Sequence, residues 1–387
     1  MSEKASFREV FAIFLRLGLT SFGGPAAHLG YFHDEFVRRR GWLSEGAYGE
    51  VVALCQLLPG PASSQTGLAI GFLRGHYRGA LAAWLAFTLP SAILMALFAF
   101  GLSLWPDAAE GGWVSGLKLF VVAVVGHAVW QMGRNLCPDA LRQGLALMVA
   151  VILLLAGSAL IQMAALTLAG FVGFMRRVPP SKAGEALSLP VQGRRPKVFA
   201  VAFMLLLLAS FLPAEAGSMR WLAAEMYRSG ALVFGGGHVV LPWLQEGFVG
   251  SGQVSADTFL AGYGAAQAVP GPLFTFSAFL GGISGGVPGA VLALLAVFLP
   301  GVLLVFAGLP LWQWLRRHER ARSALAGVNA GVVGLLLAAL YDPVWTSAVN
   351  SPAGLAFVLG TWWALSVARM PVWVLAPACA ALGALLF

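Results

Sequence analysis

The chain has 387 residues, 59% of them apolar and only 10% charged, with a net charge of +8 and a mean hydropathy of +0.82. A soluble chain carries roughly a quarter charged residues, so this composition excludes a water-soluble enzyme and points to an all-α polytopic membrane protein. Nucleic acid is no partner, because the positive residues sit in short loops between apolar stretches, the usual bias of cytoplasmic loops.

In chain order, MSEKASFREV mixes acid with base and shows neither the n-region nor the cleavage site of a signal peptide. Phe7–Phe22 and Pro25–Arg38 read as helices broken at Gly23-Gly24, and Arg38, Arg39 and Arg40 follow. Leu43–Leu73 is apolar but broken at Pro59-Gly60-Pro61, where Pro clashes with the preceding turn and removes a donor. Ser44–Leu58 as a helix is about 22 Å long, too short to span comfortably. The expectation is a re-entrant hairpin that turns inside the membrane, against a pair of short, kinked full spans. Ala80–Trp105, Gly144–Met175, Val198–Pro213 and Gly289–Leu315 are each long enough to cross a hydrocarbon layer of about 30 Å. Between the second and third of these, RRVPPSKAGEALSLPVQGRRPK (176–197) is basic and Pro-containing and reads as a solvated linker. The cysteines Cys55, Cys137 and Cys379 show no metal spacing and no pairing pattern, and no cofactor is expected.

The sequence repeats itself. Ser21-Phe22-Gly23-Gly24 matches Val233-Phe234-Gly235-Gly236, QLLPGP (56–61) matches QAVPGP (267–272), and Phe87-Thr88-Leu89-Pro90 matches Val297-Phe298-Leu299-Pro300. The chain divides into an N-terminal repeat (1–175), a basic cytoplasmic linker with a connecting transmembrane helix (176–213) and a C-terminal repeat (214–387). Arg38–Arg40, Arg74 and Arg78 have no basic counterparts in SGQVSAD (251–257) or GGISGGVPG (281–289). One segment on, acidic WPDAAEGG (105–112) faces basic RRHERAR (316–322). Under the positive-inside rule, the repeats are expected to insert with inverted topology.

A helix restarting at Pro61, or at its twin Pro272 beyond Pro270-Gly271, would present unpaired N–H groups and a partial positive charge, a ready anion site. Hydroxyls recur there: Ser63 and Ser64 in the first copy, Thr275 and Ser277 in the second, with Thr275 opposite Ser64. Gln56 and Gln267 precede the breaks and either bond the carbonyls freed by Pro or contact the solute. Arg16, its repeat partner Arg228, and Lys118, with Asn329 at its repeat position, lie within apolar segments. A bare cation at the bilayer centre costs roughly 3 kcal/mol, so anion contact is the expected role, against snorkelling or pairing with Asp34, Glu35 or Glu50. His28 and His238 follow the glycine breaks and are candidates for a coupling proton, or for plain packing.

FGGPAAHLGYFHDEFVRRRGWL, LCQLLPGPASSQTGLAIGFLRG and AWLAFTLPSA, with FGGGHVVLP, FLAGYGAAQAVPGPLFTFSAFLGG and GVNAGVVGLLLAALYDPVWTSA, resemble the two halves of the chromate ion transporter family. The resemblance covers nearly the whole chain. It implies a multi-pass secondary transporter of the bacterial inner (plasma) membrane, exporting chromate and conferring resistance, with sulfate as the competing substrate. One departure is Gly301 after Pro300, where Ser91 follows Pro90. An importer or exchanger of sulfate is the alternative. A membrane enzyme on a lipid-linked phosphate is disfavoured, since no HExxH, paired intramembrane carboxylates or Cys/His cluster is present. A homodimer is left open.

Overall fold

A computed structural model describes residues 5–22, 24–104, 111–156, 159–176, 195–233 and 237–387. Gly23, Gly235, Gly236 and most of the 176–197 linker lie outside them. Every regular element among the described residues is helical. Ala62–Leu104, Gly112–Leu136, Leu273–Leu309 and Glu319–Ala348 are long and apolar enough to cross a membrane, and five shorter apolar helices accompany them. The protein is an all-α polytopic membrane protein.

The repeat is visible in the ends of the elements. Helix α1 (Phe7–Thr20) starts at Ser6, whose hydroxyl accepts from the Glu9 N–H. After α2 (Gly24–His33), α3 (Glu45–Leu57) starts at Ser44, which caps the Ala47 N–H. Such a cap satisfies a donor that the helix cannot. Helix α4 (Ala62–Leu104) follows the first Pro-Gly-Pro. It is two helices merged: Gly75 (φ −137°) and His76 (φ 52°) reverse the chain, and the backbone of Gly71 lies against Gly79.

Next come α5 (Gly112–Leu136), α6 (Ala140–Leu155), α7 (Ala159–Arg176) and α8 (Arg195–Ser210). The stretch Gly144–Met175 is thus not one span. It breaks after Leu155, and α6 and α7 pack separately on a later helix, α13.

The second copy then retraces the first. Helix α9 (Met219–Leu232) is capped by Ser218 and has the 14 residues of α1. Helix α10 (Val240–Phe248) follows the glycine break. Helix α11 (Ala256–Ala268) starts at Ser255, which accepts from Thr258 N–H, and has the 13 residues of α3. Helix α12 (Phe276–Arg317) folds back at Gly285 (φ −151°) and Gly286 (φ 61°), with nearly the dihedrals of Gly75-His76. Helices α13 (Glu319–Ala339), α14 (Pro352–Ser366) and α15 (Val372–Leu386) complete the chain, with a non-helical turn at Asp342 after α13.

By packing, the chain forms two compact units, each drawing on both sequence halves. Unit 1 comprises Met1–Ala99, Lys182–Gly237 and Val269–Arg317. Unit 2 comprises Phe100–Ser181, His238–Ala268 and His318–Phe387. Because lipid is as apolar as a side-chain interior, packing and hydrogen bonds hold such units together. In unit 1, Phe14 meets Phe32 and Phe36 at ring distances of 5.7 and 5.1 Å, and Phe32 meets Phe87 at 5.1 Å. The arginine loops of the first copy also converge there: Arg40 and Arg74 both lie over the Trp42 ring, at 5.6 and 4.9 Å. In unit 2, α13 packs on α6 and α7, while α5 packs on α11, α14 and α15.

Candidate functional site: two interlocked breaks

Both Pro-Gly-Pro breaks fall in unit 1, and each is tied to the other repeat. Gly60 N–H donates to the Val233 carbonyl at 2.7 Å, and Gly271 N–H donates to the Ser21 carbonyl at 2.9 Å. Gly60 and Gly271 are repeat counterparts, as are Val233 and Ser21, so the two bonds form one reciprocal device. Gly60 has φ 119° and Gly271 φ 99°, a region that only glycine enters without strain. Space gives the same answer. A Cβ on Gly60 would meet Gly301 Cα at 3.3 Å, and one on Gly271 would meet Ser91 Oγ at 2.8 Å. The departure at Gly301 therefore sits against the first break. Its counterpart Ser91 donates to the Thr88 carbonyl at 3.0 Å, a bond within its own helix.

The freed backbone is closed by side chains. Gln65 Nε2 donates to the Pro59 carbonyl at 2.9 Å, and Thr275 Oγ1 donates to Pro272 O at 2.8 Å. The carbonyl-bonding role considered for Gln56 thus belongs to Gln65; Gln56 is exposed on α3. His28 is fully buried, with Nε2 3.2 Å from the Ser21 carbonyl and Nδ1 3.3 Å from Ser63 Oγ. Since a carbonyl only accepts, Nε2 donates to it. In the neutral ring Nδ1 then accepts from the Ser63 hydroxyl. His28 thereby links α2 to the first break.

What remains is a set of buried polar atoms without partners. Among the matched hydroxyls, Thr66 Oγ1 donates to Ala62 O and Thr275 to Pro272 O, while their counterparts Ser277 Oγ and Ser64 Oγ have no partner. Each repeat therefore presents one uncommitted hydroxyl just after its break. Ser64, Gln65 and Trp84 line a single small void of about 10 Å³ with Pro61 and Gly301. Ser64 Oγ, Gln65 Oε1 and Trp84 Nε1 are buried without partners, while the wall of the void itself is apolar. A buried polar group without a hydrogen bond costs about 1–3 kcal/mol, and indole Nε1 is purely a donor. The void is at the lower limit for one water, so a larger solute enters only if the breaks part.

The remaining sequence candidates divide between the units. Arg228, half-buried in unit 1, is bonded to Glu225, donates to the Ser210 carbonyl at 2.9 Å and lies over Phe211. Arg16 is exposed on α1, and its repeat position offers Ile13 where Arg228 finds Glu225. In unit 2, Lys118 pairs with Asp257 at 2.8 Å, and Asn329 is half-buried on α13. Two of the three cations are thus paired within the protein, by Glu225 and Asp257 and not by Asp34, Glu35 or Glu50. Tyr263 OH lies 2.9 Å from His238 Nδ1 and Gln267 Nε2 3.5 Å from it, so Gln267 stands in the His238–Tyr263 cluster of unit 2. Trp84 and Gln65 were missed. Gln65 had a signal, lying four residues past Pro61, whereas nothing in the sequence separates Trp84 from a packing tryptophan.

A family model described as "Chromate transporter" matches residues 8–174 and 220–384. The chain belongs to the chromate transporter family. Among curated relatives, the chromate transport protein of Pseudomonas aeruginosa is 29% identical over 91% of this chain and 87% of its own length. That of Cupriavidus metallidurans is 29% identical, covering 90% and 86%. A probable chromate transport protein of Synechococcus elongatus is 26% identical, covering 87% and 84%. No solved structure is significantly similar. The two matched segments leave out residues 175–219.

Proposed function

We propose that this member of the family exports chromate across the bacterial inner membrane and thereby confers chromate resistance, working as a secondary transporter and not as an enzyme. The observation that carries the reading is the pair of reciprocally bonded Pro-Gly-Pro breaks with an uncommitted hydroxyl after each. Ser64, Ser277 and Trp84 Nε1 donate to the oxyanion, and the start of α4 adds partial positive charge. Two helix starts meeting inside a repeat protein is the arrangement of secondary-transporter sites. Non-helical backbone at that depth survives where it is buried in protein or lines a cavity. The closed void is one end of an alternating-access cycle, with the repeats inverted in the membrane as their loop charges indicate.

Hydroxyl and indole donors read charge and oxygen geometry, so sulfate, a tetrahedral dianion of similar size, competes. Everted and right-side-out membrane vesicles test the reading. Chromate accumulation in everted vesicles, inhibited by sulfate, is the expected result. Accumulation confined to right-side-out vesicles would make the protein an importer.

A further inference from the structure

One carbonyl in unit 1 serves both the second break and the ring that holds the first. Ser21 O accepts from Gly271 N–H at 2.9 Å and from His28 Nε2 at 3.2 Å, which uses both of its lone pairs. His28 Nδ1 lies 3.3 Å from the hydroxyl of Ser63, two residues past Pro61. A chain of hydrogen bonds therefore runs from the start of α4 through the His28 ring to the second Pro-Gly-Pro. The second copy cannot repeat it, because the positions matching His28 and Ser63 are Val240 and Phe274.

The direction of this chain depends on one proton. In the neutral ring Nε2 donates to the carbonyl, so Nδ1 accepts and the Ser63 hydroxyl is engaged by it. When Nδ1 takes a proton from water, both ring nitrogens donate. Ser63 Oγ then accepts from Nδ1–H, and its own O–H is free to turn to a solute. One N–H bond forms and no other covalent bond changes. The charge gained by the ring is buried: His28 is fully buried, 5.2 Å from the Phe87 ring. Of the titratable groups on the helices around it, Arg16 is exposed, His33 bonds Glu45, Tyr48 bonds the Leu29 carbonyl, and Glu50 and Cys55 are buried on α3. None of them bonds the ring. A buried charge without a counter-charge is costly, and a dianion beside Ser63 supplies one.

We propose that His28 is a positioning residue for the oxyanion, releasing the Ser63 hydroxyl to it when the ring takes up a proton. This rests on the reading that the oxyanion sits at the breaks. Proton and oxyanion then favour each other by the same factor, as linkage requires. The bound state holds more protons than the free one, so affinity rises as pH falls. A histidine serving packing alone would keep the same two bonds at every pH, and pH is therefore the readout that separates the two roles.

Equilibrium binding of radiolabelled chromate to the purified full-length protein is measured from about pH 5 to 8, the range in which an imidazole ordinarily changes charge. Chromate itself gains a proton there, so each variant is compared with wild type at the same pH. His28→Gln keeps a donor for the Ser21 carbonyl and an acceptor for Ser63 but cannot titrate. Its affinity is expected to fall behind wild type by up to about tenfold for each unit the pH is lowered, the effect of one linked proton. Over that range wild type takes up about one more proton per oxyanion bound than the variant does. The deficit of Ser63→Ala should also grow as pH falls, to at least roughly tenfold near pH 5, which keeps the test decisive if the His28 variant does not fold. A constant ratio to wild type across the range, in every variant that folds, overturns the proposal and leaves the chromate reading standing. Absence of saturable chromate binding by wild type overturns both.

Discussion

Ser64→Ala separates stability from binding, because the hydroxyl has opposite effects on the two. In the closed structure Ser64 Oγ is buried beside Gln65 and Trp84 without a partner. Burying it unbonded costs about 1–3 kcal/mol. Its removal is therefore expected to leave Tm unchanged or to raise it, unlike most truncations at buried sites. In the proposed oxyanion-bound state the same hydroxyl would donate to a charge, an interaction that contributes about 1.5–3 kcal/mol. Chromate affinity should then fall roughly 12- to 150-fold. Ser277→Ala, the matching uncommitted hydroxyl, should behave alike. The assays are thermal unfolding of the purified protein and transport kinetics in proteoliposomes, with KM against chromate as the readout. A Ser64→Ala protein that unfolds well below wild type contradicts the unpartnered hydroxyl, and one with an unchanged KM contradicts its role in the site.

Other consequences are equally direct. His76 holds φ 52° and ψ −148° where its repeat counterpart is Gly286, a region costing a non-glycine residue about 1–3 kcal/mol. His76→Gly should raise Tm, and a lower Tm would mean that the His76 side chain outweighs the strain. Burial pushes the Glu35 carboxyl up, but bonds from Arg40 and Arg39 outweigh it and hold the group below the usual carboxylate range. A depressed folded pKa stabilises above the unfolded pKa and is lost as pH falls through the folded value. Stability should therefore drop on acidification below about pH 4, with a shallower drop in Glu35→Gln; parallel curves would remove this pair from the account. Single cysteines placed at Arg39 and Ser251, with the three native cysteines removed, should label from opposite sides of the membrane. Labelling of both from one side would refute the inverted repeats.

Most of the architecture was legible in the sequence, because glycine and proline mark where helices must stop. The QLLPGP and QAVPGP strings located both breaks, and the helices just before them, α3 and α11, have equal length. The caps Ser6/Ser218 and Ser44/Ser255 extend that correspondence to single hydrogen bonds. The division of Gly144–Met175 into α6 and α7 was hidden, since a run without Pro or charge does not show where it turns. The site was only partly legible. Hydroxyl positions after each break could be named, but which of them are uncommitted depends on rotamers. Thr66 and Thr275 turn back to their own backbone, whereas Ser64 and Ser277 do not. The cations misled for a related reason: Glu225 lies three residues before Arg228, while Asp257 reaches Lys118 from 139 residues away. A burial penalty read from sequence shows that a partner is needed, not whether the partner is solute or protein.

Equilibrium binding of radiolabelled chromate to the purified protein, wild type against Ser64→Ala/Ser277→Ala, tests the central claim most directly. Saturable binding by the wild type, displaced by sulfate and weakened at least tenfold in the double variant, is the predicted result. Equal binding by the two proteins would contradict the assignment of the oxyanion to the interlocked breaks.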